Sequence, residues 1–327
     1  MNKEININKR PRRLRSSSSI RSLTQENYLN VQNFVCPLFV RTGVNKKIEV
    51  ESMPDIYQFS IDKVLYEIEY LLNLNVDKFL LFGIPENKDQ YGNDAIAENG
   101  IIQQSLLEIK KRFPESFLIT DLCMCEYTDH GHCGIMKDKE LDNDETLKYL
   151  GKQAVSHAKY GADMIAPSGM IDGVVKYIRN ALDVSNFKNL PIMSYSAKFA
   201  SNFYGPFRYA ANSSPQYGDR KSYQMSFNNR LEALKEVKID IEEGADIVMV
   251  KPALSFLDIV RDVKNAVDVP VAVYNVSGEY SMVKAAVKQN WIDEKNIVNE
   301  ILSSIKRSGA DIIISYFAKS YAENNIE

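Results

Sequence analysis

At 327 residues, 45% hydrophobic and 25% charged, the chain has the composition of a soluble globular protein, enough for one large domain or two medium ones. A formal net charge of −3 excludes a strong field for nucleic acid or a membrane surface, and the longest apolar runs, such as 34–40, are too short to span a bilayer. Four cysteines in so long a chain argue against a disulfide scaffold and for a reducing compartment, the cytoplasm.

The first residues differ from the rest. Arg10-Pro-Arg-Arg-Leu-Arg15 followed by Ser16 to Ser19 is basic and poor in apolar side chains. Residues 1–33 read as a solvated or subunit-docking N-terminal arm, with a transit peptide or an anion-binding arm as alternatives. Beyond the arm, strand-like apolar runs recur at 34–40, 78–84, 116–122, 164–168, 191–197, 246–250, 270–276 and 311–316. Between them lie helix-period patterns such as Val64-Leu65-Ile68-Leu71-Leu72 and Ile259-Val260-Val263. A weak repeat marks three of the joints. Tyr160-Gly-Ala-Asp163, Glu243-Gly-Ala-Asp246 and Ser308-Gly-Ala-Asp311 each end a helical pattern on glycine and lead into a strand. Eight strands alternating with helices predict an α/β fold, a (β/α)8 TIM barrel over 34–327, with a doubly wound open sheet as the runner-up.

In such a barrel, chemistry collects at the C-terminal ends of the strands. The third strand runs into Asp121-Leu-Cys123-Met-Cys125-Glu-Tyr-Thr-Asp-His130-Gly-His132-Cys133-Gly, which holds three of the four cysteines and two of the three histidines. Closely spaced thiolates suit zinc, and three protein ligands leave the open position that a catalytic metal needs. A closed Cys3His site using His130 or His132 is the alternative. Two other strands end on lysine, Pro191-Ile-Met-Ser-Tyr-Ser-Ala-Lys198 and Val248-Met-Val-Lys251. Two ammonium groups on neighbouring strands disfavour each other's charge, and burial adds to the effect, so at least one amine should be neutral enough to attack a carbonyl. The long, aperiodic stretch 199–227 reads as a lid whose Arg208 and Arg220 suit capture of a carboxylate. A Schiff-base aldolase with a structural zinc, and a non-catalytic zinc or redox sensor, are the competing functional readings.

Taken together these stretches, with Ala166-Pro-Ser-Gly-Met-Ile-Asp-Gly173, Gly218-Asp-Arg-Lys-Ser-Tyr-Gln224, Val276-Ser-Gly-Glu-Tyr280 and Ile314-Ser-Tyr-Phe317, resemble the delta-aminolevulinate dehydratases. The resemblance covers most of the chain in order. It implies condensation of two 5-aminolevulinate molecules to porphobilinogen with loss of two waters, in tetrapyrrole (heme) biosynthesis. By the same likeness, Lys251 forms the Schiff base to the A-side substrate and Lys198 to the P-side one. Arg208, Arg220 and Gln224 hold the P-side carboxylate, Ser277 and Tyr316 hold the A-side one, and Asp121 and Ser168 line the P side. Cys123, Cys125 and Cys133 bind catalytic Zn2+. Relatives with a second zinc carry a cysteine where this chain has Ser222, so His130 and His132 are expected to be structural. Bacterial relatives place a ligand of allosteric Mg2+ where Glu232 stands, and the family assembles into homo-oligomers, commonly octamers.

Overall fold

The computed structural model describes residues 7–325, so the first six residues of the expected arm and the last two of the expected barrel lie outside it. Eight strands are buried along most of their length, as parallel strands with helices on one side and a filled barrel on the other must be. They are β1 (Phe34–Arg41), β2 (Lys78–Ile84), β3 (Phe117–Leu122), β4 (Met164–Pro167), β5 (Met193–Lys198), β6 (Ile247–Lys251), β7 (Val271–Asn275) and β8 (Ile312–Ser315). β1 pairs in parallel with both β2 and β8. The ladder continues through β3 to β4 on one side and through β7 and β6 to β5 on the other. A parallel bridge between Ile165 and Ile192 joins β4 to β5 and completes the ring. The architecture is the expected (β/α)8 barrel and not an open sheet.

The main outer helices are α1 (Ile61–Asn73), α2 (Ile101–Arg112), α3 (Asn143–Lys159), α4 (Val174–Val184), α5 (Leu231–Glu242), α6 (Leu257–Ala266) and α7 (Glu294–Ser308). Each turns an apolar stripe inward: Val64, Ile68 and Leu71 on α1, and Ile259, Val260 and Val263 on α6, are the buried positions. The three Gly-Ala-Asp joints share one construction. Gly161, Gly244 and Gly309 take φ of 102°, 106° and 123°, which an L side chain rarely adopts. The aspartate that follows then grips the neighbouring strand. Asp163 Oδ2 accepts from Leu118 N at 2.7 Å, Asp246 Oδ2 from Ile192 N at 2.8 Å, and Asp311 Oδ2 from Val271 N at 2.9 Å. Side chains thus satisfy strand-end donors that the ladder leaves open.

Two small features have no counterpart in the expected pattern. Strand Lys47–Glu49 runs antiparallel to Tyr57–Ser60, which joins the edge of β1, and Met136–Lys137 pairs with Glu140–Leu141. Within residues 7–33 a 3-10 turn at Pro11–Arg15 and a helix at Ser18–Leu23 bury none of their residues. Among the described residues, no helix is long and apolar enough to cross a membrane.

Candidate active site

Lys198 and Lys251 are the last residues of β5 and β6, and they stand opposite each other in register. Both are buried, at 5% and 6% exposure. Lys198 donates to the carbonyl of Ser168, just beyond β4, and Ser168 Oγ donates to Asp121 Oδ2 on β3 at 3.1 Å. Lys251 has a different setting. Its Nζ lies 4.1 Å from the ring centre of Tyr274, 5.0 Å from that of Tyr195, 5.3 Å from that of Tyr204 and 5.4 Å from that of Phe207. Burial, with the Lys198 charge adding to it, pulls the Lys251 amine down to about 7. Free amine is therefore available near neutral pH.

The cysteines sit beside this pair. Cys123, Cys125 and Cys133 are all buried, and their sulfurs lie within 4.8 Å of one another, with Cys123 and Cys125 at 3.4 Å. Zinc–sulfur bonds of about 2.3 Å in a tetrahedron place sulfurs a little under 4 Å apart, so the trio fits a soft divalent cation. Thiol hydrogen bonds from Cys123 and Cys125 hold Cys133 well below the usual thiol range, with Arg220 assisting. Cys36, in contrast, stands on β1 away from the cluster, and burial pushes its thiol up to about 12.

Segment 199–227 folds back over the mouth. It contains the short helix Gly205–Ala210, and its turns bring Arg208, Arg220 and Gln224 to the cavity region. Arg220 Nη2 donates to Gly131 O at 2.8 Å and Ser213 O at 2.6 Å, tying the lid to the cysteine loop. Arg208 Nε, Arg220 Nε and both amide atoms of Gln224 are buried without hydrogen-bond partners among the described residues. The unpaired guanidinium donors of Arg208 and Arg220, in the cavity with Lys198 and Lys251, suit an anionic group that completes them, whereas Gln224 lines a wider cleft with Tyr195 and Tyr223. On the other side of Lys251, Ser277 opens the helix Ser277–Lys288 and Tyr316 follows β8; both line a narrow space with Lys251, Tyr204 and Tyr274. Ser277 Oγ accepts from Phe207 N at 3.0 Å and donates to Phe203 O at 3.2 Å, while the Tyr316 and Tyr274 hydroxyls are 3.1 Å apart.

Of the two histidines, the His132 ring faces the lid. His132 Nε2 lies 3.0 Å from Tyr217 O and its Nδ1 3.1 Å from Tyr223 Oη, and His130 Nε2 lies 3.3 Å from Gln90 O. Glu232 stands apart from the lysines in the first turn of α5. It accepts from Asn229 Nδ2 at 2.7 Å and faces a wide cleft shared with Glu236, Asp240 and Asp172. Sequence reasoning did not single out Tyr195, whose ring lies beside both lysines, at 5.6 Å from Lys198 Nζ. Three positions separate Tyr195 from Lys198, which strict alternation would put on opposite faces. Between Ser194 and Ala197, however, β5 uses three residues against two on β6, and this bulge turns both toward the mouth. Tyr204, Phe207, Tyr274 and Glu126 were missed as well, since buried aromatic or acidic residues carry no spacing signal.

The C-terminal face of a (β/α)8 barrel is where such barrels carry their chemistry, and a buried, partly neutral lysine there marks the molecule as a barrel enzyme. Known proteins narrow the class. The family model described as delta-aminolevulinic acid dehydratase matches residues 8–324. The delta-aminolevulinic acid dehydratase of Bacillus subtilis (strain 168) is 54% identical over 314 residues, 96% of this chain and 97% of the relative. That of Archaeoglobus fulgidus is 52% identical over 314 residues, with coverage of 96% and 97%. The crystal structure of delta-aminolevulinic acid dehydratase (porphobilinogen synthase) from Toxoplasma gondii ME49, in complex with the reaction product porphobilinogen, aligns with a TM-score of 0.95 at 37% identity, covering 97% of this chain and 91% of that one. The chain belongs to the delta-aminolevulinic acid dehydratase family.

Proposed function

We propose that the protein condenses two molecules of 5-aminolevulinate to porphobilinogen with release of two waters, a lyase step of tetrapyrrole synthesis. The observation that carries this reading is the pair of buried lysines, in register at the ends of β5 and β6, with the Lys251 amine held near 7. A neutral amine adds to a ketone and expels water to give an imine. In this reading Lys251 binds the A-side substrate in this way and Lys198 the P-side one. Holding both ketones in one dry pocket replaces a two-body encounter with a positioned one.

The surroundings support a division of labour. Arg208, Arg220 and Gln224 offer unpaired donors for the P-side carboxylate. Ser277 and Tyr316 offer hydroxyls for the A-side carboxylate. Asp121 is pushed up to about 8 by burial and by the Glu126 charge, so at neutral pH it can both hold and yield a proton beside the P-side imine. Cys123, Cys125 and Cys133 would hold zinc, which supplies Lewis-acid stabilisation of charge near the A-side substrate. Glu232, facing its acidic cleft, is our candidate for the magnesium response, and residues 1–33 for the docking arm of a homo-octamer.

The test supplies 5-aminolevulinate and measures porphobilinogen, then adds borohydride and maps the labelled lysines. Substrate-dependent labelling of Lys198 or Lys251 is the expected result. Full turnover by Lys251→Ala would sink the mechanism.

A further inference from the structure

Behind the A-side residues lies a buried polar network that the proposed reaction does not use. At its centre is Glu279, on the helix Ser277–Lys288, at 0% exposure. Its Oε1 accepts from Ala253 N at 3.1 Å and Leu254 N at 2.7 Å, and its Oε2 from Val276 N at 3.0 Å and Asn275 Nδ2 at 2.9 Å. Asn275 Oδ1 in turn accepts from Ser315 Oγ at 2.9 Å, and Ser315 Oγ accepts from Phe317 N at 3.1 Å. Asn275 and Ser315 are also fully buried, and they stand in register as the last residues of β7 and β8.

Helix capping accounts for only part of this. An acidic residue at the third helical position that accepts the N-cap N–H, as Glu279 accepts that of Val276, is half of a capping box. An exposed glutamate could do as much without leaving water. Burial is expensive for a carboxylate unless donors replace its hydration, and it pushes the Glu279 carboxyl up to about 7 although four donors act against the shift. The oxygen that capping does not need reaches the loop after β6, 25 and 26 positions earlier in the chain.

The segments joined in this way are those of one half of the site. Ala253 is two residues after Lys251, Val276 immediately precedes Ser277, and Phe317 immediately follows Tyr316. Lys198 is held separately, through the carbonyl of Ser168. A fully satisfied buried network is rigid, so it fixes these three backbones relative to one another.

We propose that Glu279 is a positioning residue of the A side: with Asn275 and Ser315 it sets the loop of Lys251 against Ser277 and Tyr316, so that the amine meets the ketone of a substrate whose carboxylate the two hydroxyls hold. Fixed geometry of this kind is what speeds a reaction between bound groups. The inference rests on the reading of Lys251 as the A-side imine lysine, and the experiment separates the two.

Wild type and Glu279→Gln are given 5-aminolevulinate and borohydride, and the labelling rate of each lysine is followed by peptide mass spectrometry, beside kcat, KM and thermal melts. Glutamine keeps the shape but turns one acceptor into a donor that faces donors. Labelling of Lys251 is expected to slow about tenfold or more, and porphobilinogen formation with it, while Lys198 is labelled at near the wild-type rate. Equal labelling of Lys251 in the two proteins would overturn the inference. Equal slowing at both lysines would also overturn it, since general support of the barrel does not choose between them. A wild type whose Lys251 is never labelled would overturn the underlying reading as well. Should Glu279→Gln fail to fold, Ser315→Ala carries the test, because it removes a single oxygen and cuts only the link from Asn275 to Phe317. Slower labelling of Lys251 below saturating substrate, with Lys198 unaffected, is expected there, and wild-type labelling of Lys251 overturns the inference.

Discussion

At the scale of single residues, Lys251 is the point where the fold works against its own stability. Its amine is neutral in half of the molecules near pH 7, whereas the unfolded lysine stays protonated up to its ordinary 10.5. Folding therefore releases a proton between about pH 7 and 10.5, and the unfolded state binds more protons throughout that window. Stability must then rise with pH across it, the penalty for the buried ammonium being full below pH 7 and gone above 10.5. Lys251→Met should abolish porphobilinogen formation yet make the protein more stable. The gain should be on the order of 4 kcal/mol at pH 7 or below, shrinking as the pH approaches 10.5. Denaturant melts of both proteins at several pH values measure it. A Met variant that is less stable at pH 7, or a gain that grows with pH, would show that the site does not disfavour the ammonium. In the wild type, kcat/KM should fall as the pH drops through about 7, because the attacking amine is lost by protonation.

At the scale of elements, the Gly-Ala-Asp joints show what a repeat in the sequence can disclose. The glycines mark helix ends by their φ, and the aspartates turn out to cap neighbouring strands, a role that proximity in the chain does not reveal because Leu118, Ile192 and Val271 lie 40 to 54 positions away. Asp163→Ala would leave the Leu118 N–H without that acceptor and free Lys110, its ion-pair partner at 2.6 Å. The expected loss is roughly 1–3 kcal/mol with kcat and KM near wild type, since the joint lies at the end of the barrel away from the lysines; unchanged thermal stability would count against the capping role. The eight strands were legible because buried parallel strands are short apolar runs bounded by turns, and Lys198 and Lys251 because charge at the end of such a run is conspicuous. Tyr195 was not, since a bulge sets its direction and no pattern of side chains encodes an extra residue in a ladder. The lid was legible only as an absence of periodicity. Its contacts depend on Arg220 reaching Gly131 and Ser213, and nothing in the local sequence fixes that geometry.

At the scale of the whole molecule, charge is divided unevenly. Residues 1–33 carry seven lysines and arginines against two glutamates, a balance of +5 that leaves −8 on the remainder. The described part of this arm turns Leu14, Leu23 and Tyr28 outward at 55%, 79% and 60% exposure, apolar area that its own barrel does not cover. A basic segment with exposed apolar side chains, attached to an acidic body, is complementary to another copy of that body. Coulomb attraction would guide such docking, and burial of the apolar side chains would hold it. Deleting residues 1–33 should therefore lower the mass of the assembly in analytical ultracentrifugation while circular dichroism shows the barrel intact. Raising the salt should weaken the full-length assembly only in part, because about 10 Å of screening at 0.1 M affects the charges and leaves the buried leucines and tyrosine untouched. An arm-deleted protein that sediments at the same number of subunits would place the contacts on the barrel itself. Complete dissociation by salt alone would mean that charge, and not apolar burial, holds the copies together.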